Sequence, residues 1–378
     1  MIVAGFYVHI PFCRQACRYC DFHFSVSLQF IEKMIDAMEI EIQQKAEQFK
    51  EVELRTLYFG GGTPSVLSPG EINRIIKAVK ENFKTIPQLE ISFEANPDDL
   101  IPDYLEALKQ AGIDRLSIGI QSFRDKDLVL MRRSHNAAQA LEGVQNAKKI
   151  GFEDINCDLI YGIPGLDVES WRENLQNLLN LNIQHVSAYH LTFEPGTVFD
   201  HWRKKGRIFP VEEEESIRQF KILISETGKS GFIHYEISNF AIPGFFSKHN
   251  LTYWKNENYI GIGPSAHSYD GKTRFWNISS NKKYIEKLLS GDHNYYENEE
   301  LGKDDLYNEY VLTSLRTMWG MDMNEIRLRF GNNYVKYTDD IARNFVERNL
   351  MEQIDEKVKL SQEGIFLADQ IMREFFRI

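Results

Sequence analysis

Three features of the sequence predict an α/β fold built on a parallel sheet. Six apolar, strand-like runs alternate with helical periodicity through the first half. Glycines stand where the intervening helices should stop, and polar motifs follow the strands. The first run is Phe6-Tyr-Val-His-Ile10. Ile31, Met34, Ile35, Met38 and Ile42 then fall at helical spacing with charges between them. Leu54-Arg-Thr-Leu-Tyr-Phe59 is the second run. Ser68-Pro69-Gly70-Glu71 has the pattern of a capping box with proline at the first helical position, and opens the helix Ile72–Val79. Leu89–Glu94, Arg115–Ile120, Ile155–Ile160 and Val186–Leu191 are the other four strands. The helices between them lie near Tyr104–Gln110, at Ala137–Ile150 and around Trp171–Leu181; Gly112 and Gly151 are placed to end the first two. A doubly wound sheet and a complete or partial barrel both fit this alternation, because periodicity does not separate them.

After about residue 195 the pattern changes. Helices are expected at 211–229 and 279–290, around a glycine- and aromatic-rich stretch from His234 to Asn277. Helices at 303–316, 322–330 and 334–348, a strand pair at 351–360 and a last helix at 363–376 resemble a winged-helix module. The expected organisation is thus a β-α domain over residues 1–200, an α+β extension over 201–300 and a winged-helix-like C-terminal domain over 301–378.

Composition narrows the function. At 378 residues the chain is long enough for two to three domains of roughly 150 residues, although one barrel can use most of it. Lys plus Arg is 44 and Asp plus Glu is 55, a formal charge of −11. A general nucleic-acid binder needs surplus cations, so none is expected as a partner. No apolar run approaches the ~18 residues of a membrane span. The start carries neither a basic n-region nor a small-residue cleavage site, so a cytoplasmic protein is expected. Dimerisation and peripheral membrane association stay open.

The chemistry begins at Cys13-x3-Cys17-x2-Cys20, directly after the first strand, with Cys157 alone and far away. Clustered thiols in a reducing compartment point to metal or redox chemistry. A structural zinc site wants four ligands, commonly as two separated pairs. Three thiolates suit an iron–sulfur cubane with one iron left open for a small chelating ligand. Polar motifs then recur at strand ends, where a barrel carries its active site: Gly60-Gly61-Gly62-Thr63-Pro64, Glu94, Gln121 and Asp158, with Arg133 on a loop or helix after the fourth strand. Cys157, inside a strand, reads as a small packing residue.

Tyr7-Val-His-Ile-Pro-Phe-Cys13-x3-Cys17-x-Tyr-Cys20 resembles the radical S-adenosylmethionine superfamily, in the branch of oxygen-independent coproporphyrinogen III oxidases and HemW-type haem chaperones. The resemblance spans nearly the whole chain. It implies a TIM-like partial (β/α)6 radical SAM barrel, with a [4Fe–4S] cluster on Cys13, Cys17 and Cys20 and S-adenosylmethionine on its open iron. It further implies that Tyr7, Gly61, Gly62, Thr63 and Glu94 serve that cofactor. Gln121, Arg133 and Asp158 match positions near a second adenosyl ligand. His249-Asn250-Leu251-Thr252-Tyr253-Trp254 resembles a haem-binding signature, which implies haem contacts at His249, Tyr253 and Trp254. Gly261-Ile-Gly263-Pro-Ser265-Ala-His267-Ser268 is also family-like; His267 either lines a cavity or caps a loop.

Two departures separate the relatives. The oxidases carry a fourth cysteine two positions after the third, where this chain has Phe22, and an N-terminal arm before the cluster motif, where twelve residues precede Cys13. Both favour a haem chaperone that passes haem to an acceptor protein. The competing expectation is oxidative decarboxylation of coproporphyrinogen III.

Overall fold

Period-two alternation gives each of the first six strands an apolar and a polar face, and this sorting places the site. The computed structural model describes residues 2–377. In it β1 (Ile2–Ile10), β2 (Val52–Gly61), β3 (Lys84–Ala95), β4 (Arg115–Gln121), β5 (Asp154–Tyr161) and β6 (His185–His190) lie side by side, all parallel and in chain order. A doubly wound sheet reverses its strand order at a switch point. This sheet does not, so the alternative that periodicity left open resolves to barrel-type winding.

Phe6, Val8, Leu57, Phe59, Ile91, Phe93, Leu116, Ile118, Ile155, Cys157 and Val186 are buried in the core that the helices cover. Each large apolar side chain so buried contributes about 1.5–3 kcal/mol. The intervening residues are different: Tyr7, His9, Thr56, Tyr58, Ser92, Glu94, Ser117, Asn156, Asp158, Ser187 and Tyr189. They alternate with the apolar set and form the barrel's polar interior.

The sheet grows at both ends. β7 (Ile233–Glu236) and β8 (Asn239–Ala241) add antiparallel strands beyond β6. β9 (Asn258–Ile262) pairs parallel with β1, and β10 (His267–Tyr269), β11 (Thr273–Asn277) and β12 (Tyr296–Glu300) continue antiparallel. The result is one twelve-stranded sheet ordered β12-β11-β10-β9-β1-β2-β3-β4-β5-β6-β8-β7, with two free ends as in a partial barrel. Most of these added strands were not evident in the sequence, because three to five residues are too few for alternation to register.

The helix signals hold. Ser68 caps helix Pro69–Asn82 with the full capping box: its hydroxyl accepts from Glu71 N–H at 3.3 Å and Glu71 accepts from Ser68 N–H at 2.6 Å. Losing such a cap costs about 1 kcal/mol. Gly151 ends helix Ala137–Ile150 at φ 94°, a left-handed conformation that glycine adopts without strain.

A second core joins Tyr307 to Phe375. Helices Lys303–Leu315, Met323–Phe330 and Asn332–Glu347 pack beside a small antiparallel sheet of β13 (Met321–Asp322), β14 (Met351–Ile354) and β15 (Lys357–Leu360). The expected last helix begins late: Gly364–Leu367 is a 3-10 turn and the α-helix is Ala368–Glu374. Gly364 sits so close to the Leu350 carbonyl that no side chain fits there. Among the described residues no helix is long and apolar enough to cross a membrane.

Candidate functional site

The loop after β1 carries the three cysteines and is tied down from several sides. Cys13 N–H donates to Ser25 O at 3.0 Å, and Ser25 N–H to Pro11 O at 2.9 Å, which closes the loop on itself. Arg18 N–H donates to Met131 O at 3.0 Å, and its guanidinium lies 4.7 Å from the centre of the Trp202 ring. Gln15 Nε2 donates to Arg132 O at 2.7 Å, and Arg14 pairs with Asp99.

This loop and the C-terminal ends of the strands enclose a cavity of about 410 Å³. Cys13, Cys17, Cys20, Gly61, Gly62, Thr63, Glu94, Gln121, Arg133 and Asp158 all line it, so ten residues marked out in the sequence meet at one place. Tyr7 does not. It lines a second cavity of about 350 Å³ together with His9, Phe22, His23, Tyr253, Tyr259 and His267. Gly61, Glu94 and Phe22 border both cavities.

The donor set suits a cluster. Among the described residues no three His, Cys, Asp or Glu side chains converge where a single metal ion would sit. A cubane does not require that, since each thiolate takes its own iron. Thr63 Oγ1 donates to Cys13 Sγ at 3.3 Å, and Arg133 Nη1 to Cys17 Sγ at 3.3 Å. Burial pushes the Cys20 thiol up to about 11 and raises Cys13 as well. Without a cation these two thiols stay protonated; a coordinated metal deprotonates them.

Arg133 ties the cysteine loop to the strand ends. Its Nη2 donates to Asn96 Oδ1 at 2.7 Å and to Gly119 O at 2.9 Å, while its buried Nε has no partner among the described residues. Glu94 accepts from Tyr58 O–H at 2.7 Å. Burial pushes its carboxyl up to about 7, Asp158 adds to the rise, and the bonds from Tyr58 and the Gly61 backbone oppose it. Burial likewise lifts Asp158 to about 6 against the hydrogen bonds from Asn156 and Ser187; Asn156 Nδ2 donates to it at 2.7 Å. Two carboxyls near neutrality are poised to meet cationic groups of a ligand. Gln121 ends β4 at φ 68°, a left-handed conformation that is strained for a side-chain-bearing residue and held at the cavity wall. At Gly61, φ 110°, an added side chain would first meet His9 at 2.7 Å. At Gly62 it would meet the Phe12 carbonyl at 2.6 Å, so this glycine lets the cysteine loop approach β2.

His249 and Tyr253 are four residues apart on helix Lys248–Trp254 and therefore share a face. His249 is buried, and both of its ring nitrogens are engaged: Nδ1 lies 2.7 Å from Thr56 Oγ1 and Nε2 lies 2.9 Å from Tyr253 OH. Its ring stacks on Tyr58 at 4.8 Å, and burial lowers it to about 3. Trp254 packs its ring beneath Arg316, 4.4 Å away, and its buried indole N–H has no partner among the described residues.

Tyr58, Asn96 and Gly119 escaped the sequence reading as site residues. Tyr58 holds Glu94, while Asn96 and Gly119 hold Arg133. The available signal was the polar alternation within each strand, Thr56 with Tyr58 and Ser117 with Gly119, hidden inside runs that look apolar as a whole.

Six parallel β-α units, three thiols on the loop after the first strand and a glycine turn after the second define a radical SAM protein. Residues 7–178 match the family model for the Radical SAM superfamily, and residues 301–367 match that of the HemN C-terminal domain. The fold is similar to that of the coproporphyrinogen III oxidase HemN of Escherichia coli, at TM-score 0.85 and 25% identity, covering 99% of this chain and 90% of that one. The heme chaperone HemW of Bacillus subtilis is 33% identical over 371 residues, 98% of each chain. That of Lactococcus lactis is 31% identical, covering 98% of this chain and 96% of its own. The chain belongs to the HemW family of the radical SAM superfamily.

Proposed function

We propose that this protein binds haem and passes it to an acceptor protein. The observation that carries this reading is a cavity lined by tyrosines and histidines directly against a thiol-lined one. The thiol cavity suits a [4Fe–4S] cluster on Cys13, Cys17 and Cys20, and its strand-end residues suit S-adenosylmethionine. Glu94 offers a carboxylate to the cofactor's cationic groups. Gly61, Gly62 and Thr63 offer close backbone approach, and Tyr7 borders the same carboxylate from the neighbouring cavity. Gln121, Arg133 and Asp158 line the same cavity and would contact a second adenosyl ligand. When bound, a reduced cluster supplies one-electron chemistry. The tyrosine cavity suits a porphyrin, whose flat apolar face aromatic side chains cover well. Tyr253 faces it, with His249 and Trp254 on the same short helix. The relatives' name, heme chaperone, supports haem as the cargo.

A second reading is favoured by one observation. The fold matches the E. coli oxidase at TM-score 0.85, so oxidative decarboxylation of coproporphyrinogen III is the activity to test against. Transfer decides for the first reading. Haem-loaded protein mixed with an excess of apo-haemoprotein should lose its own absorbance as the acceptor's develops, faster than free haem released into buffer would allow. A transfer rate equal to that of free haem release would overturn the chaperone reading.

A further inference from the structure

Three histidines line the tyrosine cavity, and two of them already make side-chain hydrogen bonds. His9 has Nδ1 3.1 Å from Tyr7 OH and Nε2 2.9 Å from His23 O. His23 has Nε2 2.7 Å from Asn281 Oδ1, and only its Nδ1 is without a partner among the described residues. His267 differs. Among the described residues its ring nitrogens have no hydrogen-bond partner, and the residue, the first of β10, is only partly covered.

The loop that presents it is rigid. Gly263 N–H donates to the buried Glu41 Oε2 at 2.8 Å. Asn277 Nδ2 donates to Glu41 Oε1 at 2.7 Å and to Gly263 O at 2.8 Å. The main chain adds Asn277 N–H to Ala266 O at 2.9 Å, and Ser265 is fixed at φ 64°. Tyr284 O–H completes the shell of Glu41. An uncommitted imidazole on an element locked by a second layer of hydrogen bonds is a preorganised ligand. Partial desolvation, and after it the charge of Arg274, lowers its pKa, which favours the neutral ring that iron needs. The same cavity offers flat apolar surface: Tyr253, Tyr259 and Phe22, the last 69% exposed.

We infer that His267 is the haem-iron ligand, with Phe22 and Tyr259 against the macrocycle, and that His249 is a positioning residue that holds Tyr253. This rests on the haem-binding reading above. The test is haemin titration of full-length, cluster-reconstituted protein, followed by Soret position and electron paramagnetic resonance. His267→Ala should lose the imidazole-ligated spectrum and bind roughly tenfold or more weakly, the scale of disturbing a ligand's support. In His267→Gly, added imidazole should restore the ligated spectrum, which a merely structural role would not produce. His249→Ala should keep the wild-type coordination spectrum while melting at a lower temperature. Unchanged affinity and spectrum in His267→Ala, or loss of the ligated spectrum in a folded His249→Ala alone, overturns the ligand assignment and leaves the haem reading standing. No saturable binding by the unmodified protein overturns both.

Discussion

The two adjoining cavities were assembled in different ways. The thiol cavity is built from a motif of eight residues and from polar side chains at successive strand ends, so its parts are close in sequence or recur at a fixed place in each β-α unit. The tyrosine cavity draws on β1, the cysteine loop, helix Lys248–Trp254 and the turn into β10, spanning Tyr7 to His267. A local motif announces the first. The second has no such signature, and the string that resembles one places its histidine inside the packing, with both nitrogens occupied. Chemistry that needs several ligands on one group leaves a compact sequence pattern; a surface for a large flat ligand does not.

The largest effect expected from perturbing one cavity alone is cluster loss. Cys17→Ala should abolish most of the iron and the cluster absorbance after anaerobic reconstitution, while haem still binds, since no cysteine borders the tyrosine cavity. A full cubane in this variant would end the assignment. Loss of haem binding together with the cluster would show that the two cavities act as one.

Glu94 borders both cavities and sharpens the comparison. Glu94→Gln should weaken S-adenosylmethionine binding by about 1.5–3 kcal/mol, the scale of a charged hydrogen bond. Burial holds this carboxyl near 7, so it is largely protonated at pH 6 and ionised at pH 8. A cationic ligand selects the ionised form, and affinity should therefore rise with pH through neutrality in the wild type and stay flat in the variant. Linkage runs the opposite way for the free protein. Because the folded carboxyl binds its proton more tightly than the unfolded one, this group's contribution to stability should fall as pH rises from about 4.5 to about 7. Equal pH profiles in calorimetric titrations of the two proteins would contradict this account.

Next comes His249→Ala, which leaves Thr56 and Tyr253 without their partner. A buried polar group so orphaned costs about 1–3 kcal/mol, so chemical denaturation should show a loss on that scale with cluster content unchanged. The smallest effect is expected at Cys157→Ala. This side chain is fully buried on the apolar face of β5, and trimming it should cost about 1 kcal/mol. Iron content should be that of the wild type; a deficit would bring Cys157 into the cluster's environment.

The parts of the fold that could be read in the sequence were those with a local physical cause. Ser68 and Glu71 form their capping box, Gly151 ends its helix, and the six core strands follow from their buried alternate residues. The interior of the barrel was obscured because Thr56, Tyr58, Ser117 and Asn156 sit singly between large apolar residues, and the run as a whole reads as apolar. Gln121 was marked out for its place at a strand end, but its left-handed backbone was not foreseeable from residue type. The strands from Ile233 to Asn277 are held by pairing with distant edges of the sheet, a cause that no short window contains.

The proposed function holds that this barrel carries a radical site and serves haem rather than oxidising a porphyrinogen. Its most direct test is a paired anaerobic assay on one reconstituted sample. One aliquot is titrated with haem; the other receives coproporphyrinogen III, S-adenosylmethionine and a reductant. The account predicts saturable haem binding with one site per chain and no protoporphyrinogen above the cofactor-free control. Sustained formation of protoporphyrinogen, or the absence of saturable haem binding, would contradict it.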